Sequence, residues 1–192
     1  MNEYFNLPQS QLIYDPHFLN SKCADLLFQK LYSETNWIQE PIKIFGKEMM
    51  QPRLTYLFGE KSYSYSNIKM EPHPFPEKLS ELKTKIEAIT HTKFNICLAN
   101  LYRTGQDSMG WHSDDEKELG KNPIIASISL GGERVFHLQH KTKKELKQKI
   151  VLAHGSLLIM KGETQHFWKH QLPKTKKKIS PRINLTFRKI IN

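Results

Sequence analysis

From residue 94 onward the chain breaks into short runs rich in β-branched and aromatic residues: "FNICLANLY", "IIASISLG", "RVFHLQH", "KIVLAHGSLLIM", "HFWKH" and "RINLTFRKI". Glycine and lysine stretches separate them, with no long helical pattern in between. Such a succession pairs readily as antiparallel strands, so the second half predicts a sandwich or barrel. The first half has a different period. Residues 20 to 33 put Cys23, Leu26, Leu27 and Leu31 on one helical face, with Asn20 or Ser21 as N-cap. Residues 76 to 90 repeat the pattern with Leu79, Leu82, Ile86 and Ile89, and Pro76 suits the first turn. The expected class is α+β, with two helices supporting a β-rich core. A chain of 192 residues suits a single domain over residues 1–192.

Several function classes drop out. No apolar run is long enough to span a bilayer. The N-terminus, "MNEYFNLPQSQLIYDP", has no basic region followed by an apolar stretch, so no signal peptide is expected. Cys23 and Cys97 are the two cysteines and neither sits in a motif, which fits a reducing compartment. The expected location is the cytoplasm of a bacterium, or the nucleus of a eukaryote. The formal net charge of +10, part of it in the lysine-rich stretches at 141–149 and 174–178, points to a polyanionic partner, most simply nucleic acid. No membrane and no obligate protein partner is expected.

Within "GWHSDDE", residues 110–116, His112 and Asp114 share a face if the segment is extended, and Glu116 follows them. One imidazole beside one carboxylate supplies two ligands for a metal. Of the downstream histidines, His154, His166 and His170 are the candidates for a third. Two histidines and a carboxylate on one face of an octahedral ion form the facial triad of non-haem Fe(II) oxygenases. In the last strand Arg182, Asn184, Thr186 and Arg188 alternate with Ile183, Leu185 and Phe187. Both cations there are arginine in a lysine-rich chain, and a planar guanidinium matches a carboxylate in bidentate fashion. That strand face therefore predicts an anionic co-substrate, such as a dicarboxylate, beside the metal. A zinc hydrolase is disfavoured, because no His-Glu-x-x-His spacing occurs.

"NLYRTGQDSMGWHSDDE", "HFWKHQLP" and "PRINLTFRK", in this order and spacing, resemble the AlkB family of Fe(II)- and 2-oxoglutarate-dependent nucleic-acid dealkylating dioxygenases. The resemblance runs from about residue 40 to the C-terminus and is strongest to members that repair double-stranded DNA. It implies a double-stranded β-helix (jelly-roll) core with supporting N-terminal helices and a nucleotide-recognition lid over residues 40–70. It implies His112, Asp114 and His170 as catalytic iron ligands, and Fe(II), 2-oxoglutarate and O2 as cofactors. It assigns 2-oxoglutarate to Asn100, Tyr102, Arg182, Asn184, Thr186 and Arg188. Arg182, Asn100 and Tyr102 are expected at the distal carboxylate, and Arg188 near the chelating end.

"IFGKEMMQPRLTYLFG" and "YSYSN" look like that lid. Phe45, in a hairpin with Gly46 and Lys47, stands where an apolar wedge fills the gap left by a flipped base. Tyr63 and Tyr65 stand where aromatic rings grip that base. Asp115 and Glu116 match positions at which a carboxylate favours a cationic, ring-methylated base over the neutral one. The implied activity is oxidative demethylation of bases such as 1-methyladenine and 3-methylcytosine in DNA, releasing formaldehyde, succinate and CO2. The alternatives are an RNA demethylase of the same family, a dioxygenase acting on another substrate, and a binding module without catalysis. Two departures from the family, the lysine-rich segment 141–149 and the second tyrosine of "YSYS", bear on substrate range.

Overall fold

The computed structural model describes residues 2–44, 47–65 and 68–191, with backbone alone at 43, 44, 47, 64, 65, 68 and 69. Two antiparallel sheets face each other. The larger is seven-stranded, in the order β1 (Glu3–Phe5), β2 (Gln11–Asp15), β13 (Ser156–Lys161), β10 (Ile125–Gly131), β15 (Arg182–Arg188), β8 (Ile96–Tyr102), β5 (Leu54–Gly59). The smaller is four-stranded, in the order β12 (Lys147–Leu152), β11 (Arg134–His140), β14 (Trp168–Leu172), β9 (Met109–His112). The strand-rich second half predicts an antiparallel sandwich or barrel, and the arrangement is consistent with the jelly-roll core that the AlkB resemblance implies. Two small hairpins lie outside it, β3 (Pro41–Ile44) with β4 (Lys47–Met50), and β6 (Tyr63–Tyr65) with β7 (Ile68–Met70). Within residues 40–70, β5 is hydrogen-bonded along β8 as an edge of the larger sheet.

Alternation along the strands assigns the two faces of the larger sheet. Cys97, Ala99 and Leu101 of β8, Ala126, Ile128 and Leu130 of β10, and Ile183, Leu185 and Phe187 of β15 form one buried apolar layer. Helices α1 (Ser21–Glu34) and α2 (Glu77–Thr90) cover it with Leu27, Leu31, Leu79, Leu82 and Ile86. Burying a side chain of this kind contributes about 1.5–3 kcal/mol. The opposite face looks into the space between the sheets. There Ile96, Leu98, Ile125, Leu158 and Met160 meet Leu138, Ile150, Leu152, Trp168 and Leu172. The remaining inward positions of β8, β10 and β15 are polar, and they form the site.

Both helices occur where the periodicity places them, with small corrections. The Asn20 side chain accepts from the Cys23 backbone N–H at 2.9 Å, so Asn20 is the N-cap of α1. Its buried stripe is Ala24, Leu27 and Leu31, whereas Cys23 is exposed and Leu26 is 64% exposed. The sheet takes the stripe centred on Leu27, and Leu26, a full 100° round the helix, is left on the flank. Pro76 lies just before α2, at its N-cap, and Ile89 in the last turn stays exposed. Among the described residues no helix is long and apolar enough to cross a membrane.

Candidate active site

Strands β9 and β14 are antiparallel neighbours, and their register sets His112 directly opposite His170. Both imidazoles point between the sheets, and their Nε2 atoms are 3.1 Å apart. Two donors each about 2.1 Å from one ion and at right angles would lie about 3 Å apart, so the pair fits adjacent corners of an octahedron. Nδ1 of His112 is 2.9 Å from the Gly110 carbonyl oxygen. A carbonyl only accepts, so Nδ1 carries the proton and Nε2 keeps its lone pair for a metal. Burial lowers the proton affinity of both rings, that of His170 to about 3, and the unprotonated state is the ligating one.

Asp114 completes the group, with one atom from each of His112, Asp114 and His170 within 4.8 Å of the others. Its Oδ2 is 3.9 Å from His170 Nε2, and its Oδ1 accepts from Arg188 Nη2 at 2.7 Å. Burial alone would raise this carboxyl. The Arg188 guanidinium, helped by the two histidines, overrides that and holds it at about 2. The segment leaves β9 at this point, and side chains from other elements fix its path. Ser113 donates to the Trp168 carbonyl at 2.9 Å, and the buried Gln165 side chain accepts from the Asp114 backbone N–H at 2.9 Å. Gln165 lies in α3 (Thr164–Phe167), and neither its position nor its residue type marks it in the sequence.

The expected co-substrate residues gather on the facing wall. Gly131 at φ 83° lets the turn after β10 pass so close that an added Cβ would sit 2.3 Å from the Pro181 carbonyl oxygen. Next in the chain is Arg182, which pairs with Tyr102 in the ladder, as Asn184 pairs with Asn100. Arg182 is 2% exposed, lies 5.3 Å from the Tyr102 ring centroid and donates to Ser129 Oγ at 2.9 Å. Among the described residues its Nε has no hydrogen-bond partner and no carboxylate is paired with it. Burial pushes this guanidinium down to about 10. A buried cation with an open donor on an interior wall fits the distant carboxylate of a dicarboxylate.

Arg188 is also buried, with Nη2 on Asp114 while Nε and Nη1 have no hydrogen-bond partner among the described residues. Asn184 and Thr186 line the cleft with Asn100, Tyr102 and both arginines, but their polar atoms engage the sheet. Asn184 Nδ2 donates to Ser127 Oγ at 2.7 Å, and Thr186 Oγ1 to Asn184 Oδ1 at 3.2 Å. Arg53 also lines the cleft, and its Nε donates to Asn100 Oδ1 at 2.8 Å.

The expected base-recognition residues are scattered. Phe45 and Gly46 lie outside the described residues, and of Lys47 and Tyr65 only the backbone is described. Tyr63 is wholly buried, with its ring 5.4 Å from the Arg188 guanidinium carbon. Its hydroxyl interacts with the Glu116 carboxyl, whose proton affinity is raised by burial and by Asp114. Asp115 is exposed and ion-paired with Lys141 at 2.8 Å. The other two candidate histidines stand away from the cluster. His154 Nδ1 accepts from the Gly131 backbone N–H at 2.8 Å, and His166 is exposed beside Asn122.

Comparison with known proteins agrees with this geometry. Residues 11–188 match the 2OG-Fe(II) oxygenase superfamily. Alpha-ketoglutarate-dependent dioxygenase alkB homolog 3 of Bos taurus is 45% identical over 184 residues, which cover 91% of this chain and 64% of the relative. The chain thus spans just under two thirds of that protein's length. DNA oxidative demethylase ALKBH2 of Homo sapiens is 36% identical over 180 residues, covering 88% of this chain and 69% of the relative. The structure of OsALKBH1 shares the fold at a TM-score of 0.68 and 19% identity, covering 98% of this chain and all of that one. A match that long, with identity at this level to two AlkB homologues, establishes that the chain belongs to the AlkB family of the 2OG-Fe(II) oxygenase superfamily, with Fe(II), 2-oxoglutarate and O2 as its cofactors.

Proposed function

We propose that this chain is an oxidative demethylase of N-alkylated bases in nucleic acid, with DNA bases such as 1-methyladenine and 3-methylcytosine as substrates. The observation that carries the reading is the single cleft shared by a His–Asp–His ligand cluster and the buried, carboxylate-free guanidinium of Arg182. Similarity to ALKBH2, a DNA oxidative demethylase, supports the substrate class, as does the +10 charge.

Iron and 2-oxoglutarate, when bound, supply the oxidation. One oxygen atom of O2 ends in succinate, CO2 leaves, and the other atom enters a C–H bond of the N-methyl group. The protein's part is positional. His112, Asp114 and His170 would hold the metal. Arg188 keeps Asp114 ionised and oriented. Arg182, with Asn100 and Tyr102, receives the far carboxylate of 2-oxoglutarate, and Arg53 fixes Asn100. Tyr63, Glu116 and Asp115 are proposed at the base, where negative charge favours a cationic methylated ring. The hydroxymethyl product is a hemiaminal, which collapses to formaldehyde and the unmodified base.

Formaldehyde release from a DNA duplex carrying one 3-methylcytosine tests this reading, with the same lesion in single-stranded DNA and in RNA as comparisons. Stoichiometric formaldehyde and succinate that depend on Fe(II) and 2-oxoglutarate are expected. Succinate formed without formaldehyde from any of the three would overturn the substrate assignment.

A further inference from the structure

The smaller sheet has a property that the cleft does not use. Its four strands, MGWH, RVFHLQH, KQKIVL and WKHQL, contain no aspartate or glutamate, in a chain with 19 acidic residues. One face of this sheet carries His112 and His170. Alternation turns Trp111, Lys169, Lys147 and Lys149 to the other face, since Trp168, His170, Ile150 and Leu152 are buried on the inner one. The ladder pairs His137 with Lys149, and Gln139 with both Lys147 and Lys169, so the lysines are spread across the sheet.

Lysine on an edge strand protects against edge pairing, which accounts for β12. It does not account for Lys169. That residue lies on β14, an interior strand, and its ammonium is 5.1 Å from the centroid of the Trp111 ring. Trp111 is 40% exposed. A half-exposed indole among ammonium groups with no carboxylate in the sheet is what an unpaired nucleic-acid strand requires. The ring stacks on a base, and the cations meet phosphates. The location is also apt. Trp111 immediately precedes His112 on β9, an edge strand, so a strand with one base in the cleft can pass over that edge onto the outer face.

We propose that the outer face of the four-stranded sheet binds the single-stranded flank of the substrate, with Trp111 stacking on a base and Lys147, Lys149 and Lys169 contacting phosphates. This rests on the nucleic-acid reading above. Trp111→Ala and the double variant Lys147→Glu/Lys149→Glu of the full chain test it, with single-stranded DNA of five and fifteen nucleotides, each bearing one 3-methylcytosine. Fluorescence anisotropy should show each variant binding the fifteen-mer about tenfold more weakly. The dependence of log affinity on log salt should become shallower by about one per lysine removed. Trp111→Phe should keep most of the affinity, and the lysine variant should demethylate the five-mer at the wild-type rate. Wild-type affinity and salt slope in these variants, alongside normal wild-type turnover, would overturn this surface and leave the proposed function standing. Loss of binding only to phosphatidylserine vesicles would overturn it in favour of a membrane face. Absence of formaldehyde from either strand with the wild-type protein would instead remove the reading beneath it.

Discussion

His112 and His170, 58 residues apart in sequence, stand directly opposite each other on antiparallel strands with their Nε2 atoms 3.1 Å apart. Neither nitrogen needs a proton in that arrangement if an ion lies between them. Replacing either histidine with alanine should weaken Fe(II) or Mn(II) binding by at least about a hundredfold, because it removes a ligand outright, where loss of a ligand's supporting partner costs 10–100-fold. Titration calorimetry with Mn(II) under anaerobic conditions measures this.

The Arg188–Asp114 pair is buried on both sides. Arg188→Ala strands a carboxylate in the interior and should cost about 3–5 kcal/mol in urea unfolding. Replacing both partners with apolar residues, Asp114→Leu with Arg188→Met, should restore most of that stability and bind no metal. Added Mn(II) should raise the Tm of Arg188→Ala more than that of the wild type, because the ion supplies the missing positive charge.

Arg182 should show the opposite trade. Its buried guanidinium has no carboxylate among the described residues, so in the absence of co-substrate it costs stability. Arg182→Met should raise the apo Tm, equivalent to about 1–2 kcal/mol, while raising the KM for 2-oxoglutarate at least about a hundredfold. Arg53→Ala removes the hydrogen bond that orients Asn100. It should raise the same KM about tenfold, with a smaller effect on kcat. Steady-state succinate assays distinguish the two.

Acid should unfold the metal-free protein through this cluster. His170 takes up its proton near pH 6.5 when unfolded but only at about 3 when folded. Between those values the unfolded chain binds the extra proton, so stability falls as pH drops below about 6.5, by up to roughly 1.4 kcal/mol per pH unit. Asp114, held at about 2 against an ordinary 3.8, adds a further loss below about pH 4. Urea midpoints of the apo protein should therefore decrease from pH 7 to pH 5, and His170→Gln should flatten that decrease.

Much of this was legible in the sequence because it is carried by period and residue type. The alternation in "RINLTFR" separated an apolar from a polar face, and the structure buries the first under the helices and turns the second into the cleft. Spacing alone left His154, His166 and His170 open as partners of His112. The motif resemblance pointed to His170, and strand register sets it opposite His112. Arg53 was missed, although a signal existed. Arginine occurs at only five positions, and four of them, Arg53, Arg134, Arg182 and Arg188, are buried. Gln165 had no signal, since its role depends on where a short helix delivers an amide to the Asp114 backbone. The exposure of Leu26 was equally hidden, because helical period defines a stripe but not which flank the sheet leaves uncovered.

Anaerobic absorption spectroscopy tests the central claim, that His112, Asp114 and His170 hold one iron beside 2-oxoglutarate. Adding Fe(II) and 2-oxoglutarate together to the wild-type protein should produce a visible iron-to-keto-acid charge-transfer band that neither produces alone, and His170→Ala should abolish it. No band in the wild type, or an undiminished band in His170→Ala, would contradict the account.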